Sequence, residues 1–448
     1  MSLSLLFFKQ CIRSKEVVIS LILVFSLGIL SIAIGHRQLE QQQEEISEVA
    51  KSQKDHFELQ VALHNEDLGL LLYYAKFAFI NTLNPLAGLS IGQSDINPSV
   101  KQITIKTFEA QRYDTDLVNP MSLQAGQLDL AFVIIFLFPL LIIVLSFNLV
   151  SEEIETGTWK LINVQARSKL GFVLSKLMVR VFLLLLILFL LLLVAKFSLD
   201  IPVNAQFLML IGLVVLYLIF WFALSFLVVC FKKSSGFNAL LLLATWLVLL
   251  ILLPAGLNAY IAAKYPIPEA LSSAIAQRDG YHTKWDTDKR ATIEKFYQHY
   301  PQFESYGYPT EGFNWLWYYA MQQMGDDDSA AQQEALAKKI SIREKTSTLI
   351  SSWIPNLHLQ LTLNQLSGTS MRHYITYLDE AERFHERLRL FFYPKVFDEH
   401  HAVAIDWEKF LPVFHKAETP LDPLKQALPL ILSILVIIAI SFPLTKRI

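Results

Sequence analysis

The residues best suited to chemistry fall into four groups, and two of them fail on their own spacing. Gly88-Leu89-Ser90-Ile91-Gly92 has the form of a serine-hydrolase elbow, but that motif needs a strand, a sharp turn and a helix on a parallel sheet, with an acid and a His to follow. The loop around it has no room for such a sheet. His385-Glu386-Arg387-Leu388-Arg389 begins like a zinc-protease helix and then puts Arg389 where the second His belongs. In the third group, His358, His373, His385, His400 and His401 with Asp398 read as surface or packing residues, with a shared metal as the alternative. The fourth is Leu149–Lys176, a short polar segment wedged between two long apolar runs. It opens acidic, at Glu152, Glu153 and Glu155, and closes basic, at Arg167, Lys169 and Lys176. Charge ordered in this way on a compact hairpin is a grip for a protein partner, or else an ordinary solvated loop.

The elements that must hold these groups follow from composition. Apolar residues make up 53% of the chain and charged residues 17%, and the apolar ones are gathered into blocks, the signature of a membrane protein. A helix crosses the hydrocarbon with roughly 20 apolar residues. The runs 17–35, 130–150, 177–195, 207–231, 237–257 and 427–443 qualify. Lys9, Arg13 and Lys15, the loop cations up to Lys176 and Arg180, Lys232 with Lys233, and Lys446 with Arg447 then fall on one side. The positive-inside rule makes that side cytoplasmic, with both termini. The expected organisation is an amphipathic helix over 1–16, spans at 17–35, 130–150, 177–257 (three) and 427–443, extracytoplasmic segments at 36–127 and 258–425, a cytoplasmic loop at 151–176 and a tail at 444–448.

Leu5, Phe8 and Ile12 share a helical face, with Lys9 and Arg13 off it, as in a helix lying in the membrane interface. A cleaved secretory signal ending near Ser31-Ile32-Ala33 is the competing reading. The segment from Gln38 to Gln60 predicts a continuation of the first span as a helix, and Val100, Ile103, Ile105 and Phe108 a short strand. Asp328 or Ser329 is a candidate cap for a helix running toward Ser352, and Pro355 ends that region. Ile375, Leu378, Ala381, Phe384, Leu388 and Phe391 define the packed face of another helix, closing before Pro394. The aromatic cluster Trp315, Trp317, Tyr318 and Tyr319 is a candidate membrane-surface contact. Cys11 and Cys230 both fall near the inner face, so no external disulfide is available.

The centres of the spans hold no charged residue, only Ser26, Ser225, Asn238 and Thr245. Proton and ion pathways require such charges. The spans do not divide into matching halves, and the chain lacks a Gly-x-x-x-x-Gly-Lys-[Ser/Thr] nucleotide loop. Energy for uphill movement must therefore arrive from another polypeptide. The net charge of −2 and the lack of a Lys/Arg stripe argue against nucleic acid as a partner.

The order Glu152-Glu153-x-Glu155-Thr156-Gly157-Thr158, then Arg167-Ser-Lys169-x-Gly-x-x-x-x-Lys176, resembles the cytoplasmic loop after the second span of ABC-2 type transporter permeases. Gly92-Gln93-x-Asp95-x-x-Pro98 resembles the external loop of a subset with large extracytoplasmic insertions. The resemblance implies a mainly α fold: a six-helix transmembrane bundle of ABC-2 exporter type, with an N-terminal elbow helix and two extracytoplasmic insertions containing a little β. It implies that Glu152, Glu153, Glu155, Thr156, Gly157, Thr158, Arg167 and Lys169 couple to an ABC ATPase subunit present in two copies. Further implied are a second permease, identical or related, and a bacterial inner-membrane location. Such a chain is not an enzyme and carries no cofactor or metal; ATP and magnesium belong to the partner. The reading is then a permease of an ATP-driven exporter, with the lipid bilayer and a periplasmic protein as further candidate contacts. The alternative is a membrane scaffold or sensor that does not transport, or a subunit passing mechanical work to periplasmic partners.

Overall fold

The computed structural model describes residues 3–82, 84–112, 128–266, 285, 288–309, 312–416 and 421–445. Among the described residues, six helices are long and apolar enough to cross a membrane. They are α2 (Lys15–Leu63), α4 (Leu130–Glu155), α6 (Lys169–Ser198), α7 (Ala205–Val229), α8 (Ser235–Lys264) and α13 (Pro423–Thr445). Before them, α1 (Leu3–Arg13) buries Phe7 and Cys11 against Val179 and Leu183 of α6. Leu5 and Ile12, two of the residues expected to share its face, remain exposed. The helix thus lies on the bundle by one side and offers its apolar stripe outward, as an interfacial helix does.

Polar caps set most of these starts, because the first N–H groups of a helix have no partner within it. The side chain of Asp129 accepts from the Phe132 N–H at 2.7 Å, Ser168 from Gly171, Asn204 from Phe207 and Ser234 from Phe237. Within the bundle α4 is the most buried span and α8 the least. α4 is also interrupted by a π-helical turn at Val133–Leu137, where the Tyr217 hydroxyl donates to the Ile135 carbonyl at 2.8 Å. Inserted side-chain donors of this kind accompany helix irregularities. The small polar groups of the spans serve packing: the Asn238 amide donates to the Phe147 carbonyl and Thr245 to Leu241.

Outside the bundle the two insertions fold around a single core, which we call the cap. From the first come the end of α2, α3 (Leu68–Tyr74), β1 (Phe77–Asn81) and β2 (Val100–Ile103). The second supplies α9 (Lys289–His299), α10 (Trp315–Ser351), α11 (Pro355–Ser367), α12 (Met371–Phe397) and β3 (Val413–His415). The sheet order is β2-β1-β3, with β1 antiparallel to β2 and parallel to β3 (Phe79 opposite both Lys101 and Val413), so one sheet stitches the insertions together. The Tyr377 hydroxyl donates to the Phe79 carbonyl at 2.7 Å and that of Tyr319 to Gly69 at 2.9 Å. α2 is one 49-residue helix, about 74 Å at 1.5 Å per residue. Its far part delivers Phe57 into the cap core.

Several boundaries differ from expectation. α10 starts at the Asn314 cap and not at Asp328 or Ser329, because the aromatic run Trp315–Met324 is buried as helix and carries the start upstream. Trp317, Tyr318 and Tyr319 belong to this core and are buried, so they are not a membrane-surface contact. Pro355 opens α11 at a position where its missing N–H costs nothing. α12 runs through Pro394, since burial of Tyr393 and Val396 outweighs one lost backbone bond, and Phe391 is exposed under the Lys395 ammonium at 3.6 Å. Arg389, in the place of a second zinc-ligating His, is buried: it meets Asp326 at 2.8 Å and donates to the carbonyls of Ile105 and Lys106. His385 donates from its ring to the Lys106 carbonyl at 2.7 Å. Among the described residues no group of His, Cys, Asp or Glu is arranged for a metal. Ser90 bonds to Asn364 at 2.6 Å in an irregular stretch between short 3-10 turns, far from any hydrolase geometry.

Candidate functional site

At the end of the bundle away from the cap, α4 relaxes into a turn after Ser146 and resumes for the single turn Ser151–Glu155. The chain then reverses at Gly157 and forms α5 (Trp159–Gln165) before entering α6. Gly157 has φ +80° and lies just past the Thr156 cap, a position that favours glycine because a side chain there strains the backbone. Thr156 and Thr158 hold the reversal. Thr156 donates to the Glu152 carbonyl at 2.8 Å, the two hydroxyls sit 3.0 Å apart, and Thr158 reaches both the carbonyl and the carboxylate of Glu153.

The acidic residues fasten this hairpin to the bundle. Lys176 Nζ lies 2.9 Å from Glu153 and 3.5 Å from Glu152, with the lysine side chain only 2% exposed. Arg180 is also buried and reaches the Asn148 side chain at 3.4 Å. Both cations turn into the bundle instead of toward headgroups, as their long stems alone would have permitted. Glu155 accepts the Ser235 N–H at 2.7 Å and its hydroxyl at 2.9 Å. A carboxylate on the first turn of α8 is favoured by the partial positive charge of the helix N-terminus. Ser151 and Ser235 complete the joint, 2.8 Å apart.

The eight residues singled out from the sequence therefore divide. Glu152, Glu153, Glu155, Thr156, Gly157 and Thr158 come together and build the hairpin, whereas Arg167 and Lys169 stand exposed beyond it. Sequence reasoning passed over α5 itself. There Leu161 is 61% exposed and Val164 86%, with Ile154 at 40% on the preceding turn. The signal was present as Leu161 and Val164, three residues apart, a spacing that puts them on one face. The Lys232 ammonium, 5.9 Å from the Trp159 ring centroid, brings the α7–α8 turn beside this helix.

The second motif lies at the opposite end. Gly92, at φ +54°, abuts Thr369 so closely that a Cβ would fall 2.7 Å from its hydroxyl. Gln93 N–H donates to the Thr369 carbonyl at 2.8 Å, and Thr369 returns a bond to Ser90. One turn away, Asp129 accepts the Ile91 N–H at 2.9 Å while capping α4, and Gln42 of α2 donates to the Ser94 carbonyl at 3.3 Å. Gly35 meets the backbone of Gly88 where any side chain would collide. Asp95 is half-buried and its carboxyl is raised above the usual range by that burial, and Pro98 leads into β2. The loop thus pins the start of α4, the middle of α2 and the α11–α12 turn to one another.

No curated protein and no solved structure matches this chain. Residues 271–416 match a family described as a domain of unknown function, DUF3526. Residues 39–275, more than half of the 448-residue chain, match the family described as ABC-2 family transporter protein. With six membrane-length helices in a mainly α fold, the chain belongs to the ABC-2 transporter family and is a multi-pass membrane permease subunit, whose family works with an ABC ATPase.

Proposed function

We propose that this permease is the passive half of an exporter in the bacterial inner membrane, with the hairpin end and both termini cytoplasmic. Two ATPase subunits dock on α5, and a second permease, identical or related, completes the conduit. One observation carries the reading: α5 presents Leu161 and Val164 to solvent while its foot is bonded to both α6 and α8. An apolar face left out of the core marks a place for another protein. A rigid foot turns a push on that face into rotation of two spans, the kind of rigid-body transition in which ATP binding on one side biases the other. ATP and magnesium are held by the partner, and the chain's own residues transmit force.

A second reading is favoured by α2, which runs unbroken from the membrane to Phe57 in the cap core. Such a rod carries displacement outward, so the same engine can do mechanical work on a periplasmic partner. For the first reading, Leu161→Asp and Val164→Asp together abolish co-purification of the ATPase while leaving the chain folded and inserted. Undiminished ATPase capture and stimulation by this variant would remove α5 as the docking element.

A further inference from the structure

Between the cap and the near end of the bundle lies a cavity of about 590 Å³, in the range of small-molecule sites. Five parts of the chain build it: the middle of α2, the 81–99 loop, the α6–α7 turn, the α11–α12 turn and Lys416 after β3. Its chemistry is unusual. The walls are mostly side-chain amides and hydroxyls, none of the described lining residues is a carboxylate, and Lys416 is the one lysine or arginine among them. Four of these residues carry a buried polar atom with no hydrogen-bond partner among the described residues: Gln42 Oε1, Asn97 Nδ2, Ser99 Oγ and Ser367 Oγ. Gln42, Ser99 and Ser367 are each more than nine-tenths buried. Orphaned buried polar atoms are uncommon in folded proteins, and four of them belong to residues of this one wall.

We infer that this cavity is a binding site for a polyhydroxylated, glycan-like ligand, neutral or carrying one negative charge at Lys416. Amide oxygens and nitrogens side by side with hydroxyls match sugar hydroxyls, which both donate and accept. Tyr374 adds an aromatic surface to the wall for the apolar face of a sugar ring. A peptide amino terminus would find no carboxylate among the described lining residues. Asn204 and Gln206 belong to the bundle and Ser367 and Tyr374 to the cap, so an occupant bridges the two. The site is separate from the hairpin, and the inference stands or falls without reference to ATPase docking.

The test uses the full chain in lipid nanodiscs, with maltotriose and N,N′-diacetylchitobiose as probes, tetraglycine as the peptide control, and saturation-transfer NMR and calorimetry as readouts. At least one saccharide binds at millimolar concentration or better. Asn97→Ala weakens it about tenfold, the loss of one well-placed hydrogen bond, and Gln206→Ala, at an exposed position, weakens it severalfold. Because the Asn97 amide nitrogen has no partner among the described residues, Asn97→Ala leaves the ligand-free melting temperature unchanged. No saccharide binding, binding of tetraglycine in its place, or saccharide binding indifferent to both substitutions would each overturn the assignment.

Discussion

Replacing Lys176 by Met tests whether the hairpin is held by a buried charge or merely rests on the bundle. The ammonium is 2% exposed and faces Glu153 at 2.9 Å and Glu152 at 3.5 Å, whose side chains are 16% and 38% exposed. Removing one member of a buried ion pair costs roughly 3–5 kcal/mol when the other is left without compensation. Here water reaches Glu152 and, to a lesser degree, Glu153, so we expect about 2–3 kcal/mol. Glu153→Gln alone should cost somewhat less, because Glu152 still answers the lysine. Lys176→Met with Glu153→Gln removes both buried charges, and its cost should return to about 1 kcal/mol, a coupling within the usual range for contacting residues. Thermal or denaturant unfolding of the chain in mild detergent reads all three. If the single substitutions are each neutral, or the double variant costs their sum, the pair is not the fastening and the lever loses its foot.

Two further outcomes concern the cap. Arg389→Leu takes away the buried cation that faces Asp326 and donates to the carbonyls of Ile105 and Lys106, while the Phe108 N–H stays on Asp326 and the His385 ring on Lys106. It should destabilise the cap by about 3–5 kcal/mol, seen as early proteolysis of residues 289–415 while the spans stay intact; an unchanged digestion pattern would contradict this. His385 is buried and the Arg389 charge lies close to it, and both hold its imidazole well below its ordinary value. The unfolded chain therefore binds the extra proton first. This contribution is fully present above about pH 6.5 and is lost as the pH falls, by about 1.4 kcal/mol per unit. His358, His373 and His415 are shifted in the same direction by burial. His385→Gln should flatten the stability profile of the cap between pH 6.5 and 5; an unaltered slope would show that His385 is already protonated in the fold.

Much of this protein was legible in its amino acids because a bilayer imposes one-dimensional rules. A span must be apolar for its whole length and loop cations gather on one side, so the six spans and the interval between α4 and α6 could be read without knowing what touches what. The continuation of α2 past the membrane followed from local period in the same way, as did the strand at Val100–Ile103, although the expected run to Phe108 stops short because Phe108 opens a helical turn. Contacts between distant segments were not legible. Nothing near Glu153 announces that Lys176 will be buried against it, or near Glu155 that it will meet the start of α8. Six residues that looked like a surface for a partner also make the bonds that build the hairpin, and Leu161 and Val164, unremarkable in the sequence, stand exposed beside them. Likewise, Arg389 looked like a failed metal ligand until α10 placed Asp326 beside it, and two insertions separated by four spans became one cap only when β3 paired with β1. The sequence alone decided which segments enter the membrane, because that depends on composition along the chain; the tertiary structure decided which charges are buried and which apolar residues are left over, because those depend on partners more than twenty, and often hundreds, of residues away.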